Sequence, residues 1–506
     1  MEAMDRKMPS SIDYSDVLPL SVPAESRRRK FFPTNGGSFN AIANNEIRIP
    51  ISSTNALLDC EHSYLDFTVT NNNPAGPAGV GFSIDSGGGA MFFSRIRIEQ
   101  SGRVLSDTQE YNRLIASVIN PVSETGGGRL AATLKDFTMG GNVGQGVASP
   151  NIVPNGVPTR RGDRLALCSH GNAAANARLA PGQPLRFSIP LITGLFTQDK
   201  LIPLPLVDKN NPITIVLSID AVENYGIYFG LPAADSMPIT QICYNAQLVE
   251  VGPDVLNQFA AMRDMMGGQL ALSGHDWEHN SAGLVGGAPG GGGERIVNVP
   301  MRKRSVKSLF WVATSEDLAN SGPLAGFHEC YNKSFGGSLN MDTYQLKAGS
   351  VVYPPTPIQG PGNSALDPSQ YRRGECLQEL CKAMGTLGFA APSGRTLNTI
   401  TYIGDEGSAA GVAVTANGDL GVGGFPLVGI TNAPCFSSAF GIDLESFQHT
   451  AIQSGLDTET MALQTNLIIN TGATPTIGLE SKTVHTWICY DKHYYFNNDG
   501  SITFSD

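Results

Sequence analysis

At 506 residues the chain exceeds what one hydrophobic core usually covers, so two or three domains are expected. Hydrophobic residues make up 41% and charged residues only 16%. The latter is well under the roughly 25% of an average soluble protein, so the chain either exposes little surface for its mass or hides it against partners. The net charge of −11 argues against wholesale wrapping of nucleic acid.

No basic-then-apolar start and no window of about 18 apolar residues suggests a signal peptide or a membrane span. The cysteines at 60, 168, 243, 330, 376, 381, 435 and 489 follow no repeated spacing. Buried, reduced thiols and a soluble protein of a reducing compartment are expected.

Residues 1–31 lack a core pattern and end in Arg27-Arg28-Arg29-Lys30. They read as an arm that orders against something else. The basic run fits a solvated linker, a nuclear-import signal or a contact to an acidic interior surface.

The pattern then becomes clear. Ile47, Ile49 and Ile51 alternate with Glu46, Arg48 and Pro50, and Leu65, Phe67 and Val69 repeat the period. Alternation of this kind marks half-buried strands. Pro50 lacks an N–H and places the first of them at a sheet edge or a bend. Phe93–Gln100 alternates again, and Asp107–Ile119 carries Tyr111, Leu114, Ile115 and Val118 at helical spacing before Asn120-Pro121. Residues 123–182 are a long insertion rich in Gly, Asn, Pro and Ala, a length that in a compact domain is usually functional. Strands resume at Leu185–Pro190, Ile202–Val207, Ile213–Ile219 and Ile239–Val251, followed by a helix at Asp254–Met266.

The halves are expected to meet near Gly267-Gly268. Val297-Asn298-Val299-Pro300-Met301 repeats the order of Ile47-Arg48-Ile49-Pro50-Ile51, 250 residues on (297 minus 47). The second half offers strands at Val306–Val312, within Gly337–Tyr353, and at Leu463–Asn470, Lys482–Tyr490 and Ile502–Phe504. It also offers a helix at Arg372–Gly385 and a second insertion at 391–434. Both halves give one plan: several strands, one helix, a long loop, then strands.

The motifs of chemistry are weak. His275-Asp276-Trp277-Glu278-His279 fits H-x-x-E-H, but that zinc site needs a helix, and Trp277 alternates with the histidines as a strand would place it. Gly286–Gly293 lacks the Lys-Ser or Lys-Thr of a phosphate loop. Arg161-Gly162-Asp163 is an integrin-type triplet set in the first insertion, and Asn332-Lys333-Ser334 a glycosylation acceptor without secretory context. No G-x-S-x-G, dinucleotide fingerprint or paired acidic motif occurs, and no catalytic, cofactor-binding or metal-ligating residue is assigned.

The order of several segments resembles the double-jelly-roll major capsid proteins of the polinton-like virus, virophage and adintovirus group, in the wider lineage that includes adenovirus hexon and tailless phages. The likeness is carried by Phe39–Val69, Ile96–Asn120 with Glu110-Tyr111-Asn112, Ser188–Ile219, and Asp276–Leu309 with MRKRSVKSLF. It continues in Tyr344–Ser350 followed by Tyr353-Pro354-Pro355, and in Ile442–Phe447 with Ser454-Gly455-Leu456.

The resemblance implies an all-β chain of two tandem eight-stranded jelly rolls, with an arm at 1–31, a first roll at 32–265 and a second at 266–506. It implies no enzyme activity, cofactor or small-molecule substrate. Instead it implies a homotrimer forming pseudo-hexagonal capsomers in the virion, with penton and minor capsid proteins as further partners. The arm would reach an internal membrane or the genome, and both insertions would project at one end near the threefold axis. The alternatives are a two-domain β-sandwich hydrolase using metal through His275, Glu278 and His279, and a lectin-like attachment spike displaying Arg161–Asp163.

Overall fold

The computed structural model describes residues 24–73, 81–84, 88–119, 182, 184–197, 200–229, 235–284, 292–314, 341–360, 373–385, 439–446, 455–460, 464–471 and 482–506. The triplets at 161–163 and 332–334, the run at 286–291, and both long insertions apart from Gly182 lie outside them.

The first half contributes β1 (Ala24–Phe31), β2 (Ser38–Phe39), β3 (Glu46–Ile51), β4 (Ala56–Thr70), β5 (Gly81–Ile84), β6 (Phe93–Gln100) and β7 (Arg103–Gln109). Helix α1 (Tyr111–Arg113), running on into a π-helical turn at Leu114–Ile119, precedes β8 (Pro184–Ile189), β9 (Ile213–Ile219), β10 (Gly226–Phe229) and β11 (Ile239–Val251). Helix α2 (Pro253–Met265) links the halves. The second half has β12 (Gln269–Leu284), β13 (Gly293–Asn298), β14 (Val306–Thr314), β15 (Met341–Ala348) and β16 (Val351–Gln359). It closes with α3 (Arg373–Gly385), β17 (Phe440–Asp443), β18 (Thr465–Thr471), β19 (Lys482–Asn497) and β20 (Ile502–Ser505).

Five sheets result: a two-stranded ribbon of β5 and β10, and two larger sheets per half. In the first half the order is β1-β11-β4-β8, with β2 beside β11, facing β3-β9-β6-β7; in the second it is β12-β19-β14-β17, with β20 beside β19, facing β13-β18-β15-β16. Every one of these pairings is antiparallel. The two orders match strand for strand, β1 with β12, β3 with β13, β4 with β14, β6 with β15, β7 with β16, β8 with β17, β9 with β18 and β11 with β19. In each half a helix separates the sixth-listed pair from the fifth, α1 after β7 and α3 after β16. The chain is a double jelly roll.

The five-residue repeat occupies the same place in both rolls. Ile47, Ile49 and Ile51 are buried, and so are Val297, Val299 and Met301. β3 is an edge strand, paired on one side with β9, which lets it carry Pro50. A second repeat appears once β11 and β19 are superposed by sheet order: Ile242-Cys243-Tyr244-Asn245 against Ile488-Cys489-Tyr490-Asp491, 246 residues apart (488 minus 242).

Each roll closes over aromatic rings. Phe67 stacks on Phe187 at 5.3 Å in the first and meets Phe93 edge-on at the same distance. In the second, Trp311 stacks on Phe440 at 4.4 Å with Tyr344 edge-on at 5.6 Å. β14 is buried at all nine positions. Its Leu309, Trp311 and Ala313 belong to the second roll's core, whereas Phe310 and Val312 join the first roll's cluster with Trp277, Trp487 and Cys489. A strand apolar on both faces is what a sheet covered on both faces requires.

Three expectations change. The helix expected over 107–119 starts at Tyr111: residues 107–109 end β7, and Glu110 at φ 49° turns the chain. The strand expected at Ile202–Val207 is a single bridge at Ile202 followed by a 3-10 turn at Leu204–Leu206, because Pro203 and Pro205 remove two ladder donors. The last eight residues of the expected arm form β1 and pair along their whole length with β11. The five described cysteines are free thiols, four of them buried.

Trp311→Ala is expected to destabilise the protein by about 3–5 kcal/mol through transfer and cavity terms, read by urea denaturation followed at the far-UV band. A loss under about 1 kcal/mol would contradict the packing described.

Candidate functional site

The H-x-x-E-H residues lie on β12, a strand. Their side chains take separate partners: His275 Nδ1 stands 3.0 Å from Asp491 Oδ1, His279 stacks on His485 with their nitrogens 3.1 Å apart, and Glu278 is 3.4 Å from Lys303 Nζ. Among the described residues no group of three or more His, Cys, Asp or Glu could hold a metal ion. The motif belongs instead to the seam where the two rolls meet.

The seam joins unlike sides. From the first roll come β7, the 3-10 turn at Gly194–Phe196 and the β6–β7 hairpin; from the second come β12 and the β19–β20 hairpin. Gln100 spans it with both ends of its amide, donating to Gly500 O at 2.8 Å and accepting from Ile502 N at 2.6 Å. The Arg103 guanidinium lies 5.0 Å over the Phe504 ring. Ser106 Oγ donates to Asp276 Oδ1 at 2.7 Å, and Thr193 and Thr108 complete a hydroxyl cluster at 2.9 and 3.1 Å. At Gly194 an added Cβ would stand 2.6 Å from Ser106 Oγ and 2.9 Å from Asp276 Oδ1, so the turn can come this close only without a side chain.

Behind Asp276 runs an ionic chain that is buried at Asp276 and Lys492 and reaches the surface at Asp506. Asp276 is 1% exposed and pairs with Lys492 at 3.0 Å; Lys492 lies 3.6 Å from Asp506, which pairs with Lys303 at 2.6 Å. A second group joins Lys307 to Glu445 at 2.5 Å and to Asp491 at 3.6 Å, and Ser305 Oγ donates to Asp491 at 2.6 Å. Burial pushes the Asp491 carboxyl up. The hydrogen bonds from His275 and Ser305 and the Lys307 charge outweigh it and hold the group below its ordinary value. Burial raises the Tyr490 and Tyr494 phenols, with Asp276 and Asp506 adding to the effect. Within this cluster each lysine is met by a carboxylate; Ser273 Oγ stands 3.0 Å from His493 Nδ1 on the same ladder, at an exposed position. The arrangement fixes one roll against the other.

The motif search singled out His275, Glu278 and His279, which the structure sets along one strand with separate partners, and it passed over Asp276, the member that crosses the seam. Gln100, Ser106, Thr193, Gly194 and Lys492 were not found. The Ile-Cys-Tyr repeat was the available signal, since it marks Tyr490–Lys492 as part of a paired central strand.

No family model and no curated protein matches the chain. Solved structures do. A chain of PBCV-1 VP54, fitted into a reconstruction of the virophage Sputnik, matches at a TM-score of 0.56 and 9% identity, covering 97% of this chain and 99% of that one. A chain of the PBCV-1 virus capsid matches at 0.54 and 10% over 97% and 99%, and one of the Sputnik virophage at 0.55 and 10% over 100% and 93%. The chain has the double-jelly-roll fold of these viral capsid subunits.

Two outcomes test the seam. Lys492→Met leaves Asp276 buried with its counter-ion gone and is expected to cost about 3–5 kcal/mol in urea denaturation. Arg304→Met, which breaks the exposed pair with Glu459, should cost about 0–1. Equal losses would contradict the difference in burial. The second outcome concerns acid. A carboxyl held below its ordinary 3.8 stabilises the fold above that pH, and the contribution is lost as pH falls through the native value. Asp491→Asn should therefore differ most from wild type near pH 6 and converge with it in acid; a gap independent of pH between 6 and 3 would refute this.

Proposed function

We propose that the chain is a viral major capsid protein. It is a structural subunit without enzymatic activity, which trimerises into pseudo-hexagonal capsomers that tile an icosahedral shell around double-stranded DNA. The observation that carries this reading is the pair of rolls matched strand for strand, in a fold shared with the PBCV-1 and Sputnik chains over nearly the whole length. Two similar rolls per chain, taken three times, give near-sixfold packing from threefold symmetry.

The low charge, 16%, suits a molecule whose sides are covered by copies of itself. We assign the first roll to residues 32–265 together with the strand β1, and the second to 266–506. Long insertions on rigid sandwiches suit clasps and an outer tower, and we assign 123–182 and 391–434 to that role at the threefold axis. Penton and minor capsid proteins would complete the virion. Residues 1–23 remain as the part of the arm available to an inner partner.

The purified protein is expected to run as three chains by light scattering and to form hexagonal arrays in electron micrographs when concentrated. Deleting 123–182 should abolish the trimer while leaving both rolls folded. A trimer of normal mass from the deleted chain would refute the clasp, and a wild type that stays monomeric at every concentration would refute the capsid reading.

A further inference from the structure

The contact between the rolls has a direction. The β7 side of the first roll, with its β6–β7 hairpin, meets β12 and β19–β20 of the second. Since the rolls match strand for strand, each surface of that contact has a counterpart on the other roll. The counterpart of β7 and its hairpin is β16 with the β15–β16 hairpin. The counterpart of β12 is β1. Among the described residues neither counterpart has a roll against it. A contact between unlike sides repeats head to tail when a further copy is added.

The residues at the counterpart positions differ in exposure as a missing neighbour would require. Tyr244 in β11 and Tyr490 in β19 share the Ile-Cys-Tyr repeat; Tyr490 pairs with Asp276, and Tyr244 with Phe31. The next residues are Trp277 and Phe32. Trp277 is buried in the seam at 2% exposure, whereas Phe32 stands 61% exposed.

The hairpins show the same contrast. Gln100 and Arg103 close the β6–β7 turn, and Ala348 and Val351 close the β15–β16 turn. Arg103 lies on the Phe504 ring across the seam, while its counterpart Val351 is 51% exposed. Residues Ala24–Lys30 of β1 are all exposed. A long open edge strand is a liability that folded proteins normally cover. Arg28 and Arg29 lie over the Tyr64 and Phe31 rings at 5.1 and 5.0 Å, the arginine-and-aromatic chemistry enriched at interface centres.

We infer that β1 with Phe32 is the docking edge for the β16 side of a second copy of this chain, which buries Phe32 as β7 and its neighbours bury Trp277 within one chain. The inference rests on the capsid reading and adds to it which strands meet, and in which polarity.

Phe32→Asp and Val351→Asp each spoil one side of the contact at an exposed position, so the rolls should fold with wild-type circular dichroism and melting. In light scattering each variant alone is expected to be monomeric where wild type is trimeric, with the dissociation constant raised at least about 30-fold. Mixed, the two variants should form dimers, because the intact β16 side of the Phe32→Asp chain can still meet the intact edge of the Val351→Asp chain. The amides of 24–32 that are not bonded to β11 should also be protected from hydrogen exchange in the wild-type trimer, a readout independent of either variant folding. Trimers from both variants, or free exchange at those amides in a wild-type trimer, would overturn the docking edge while leaving the capsid reading intact. A wild type that never trimerises would overturn both.

Discussion

The sheet β12-β19-β14-β17 is buried on both faces, and the rest of the molecule follows from that. One face closes the second roll over Trp311 and Ile488; the other, through Phe310, Val312 and Trp487, continues the first roll's apolar cluster. Each large side chain so covered contributes about 1.5–3 kcal/mol relative to exposure. The two rolls are therefore not beads on a string. Separating them would expose tryptophan and phenylalanine together, which is why the tandem behaves as one block with a defined angle between its halves.

Apolar contact alone would hold the rolls together without choosing how. The choice comes from groups that lose their partners if the seam slides: the Gln100 amide, satisfied at both ends by Gly500 and Ile502, and Asp276, which takes Ser106 from one roll and Lys492 from the other. Buried ion pairs add little net stability once desolvation is counted, while a broken one is costly. Their effect here is to make one register much better than its neighbours. The shell proposed above would need that uniformity, since a small angular error in each block would accumulate around a ring.

Much of the fold was legible. The alternation of β3 and β4, the bounds of β6, β9 and β11, the linking helix and the closing strand at Ile502–Phe504 all follow from period and turn chemistry, because each has one wet and one dry face or a defined stop. β1 was not legible. Its Arg27–Lys30 carries charge on both faces, and only pairing with β11 makes it a strand. The 3-10 turn at Leu204–Leu206 misled in the opposite sense: its spacing is that of a strand, and Pro203 and Pro205 override it. The seam was the least legible part, since Asp276 and Lys492 lie 216 residues apart and nothing local marks them as partners. The five-residue repeat supplied the two halves and the resemblance to capsid proteins the jelly-roll plan of each, but neither gave the residues that lock them.

In the proposed capsomer one chain supplies two near-equivalent positions of a closed ring. Single-particle cryo-electron microscopy of the purified oligomer reads this directly. A particle with threefold symmetry and six barrel-like lobes, alternating between two slightly different forms, is the expected result. A twofold particle, or a threefold one in which only three lobes line the ring and the other three stand outside it, would contradict it.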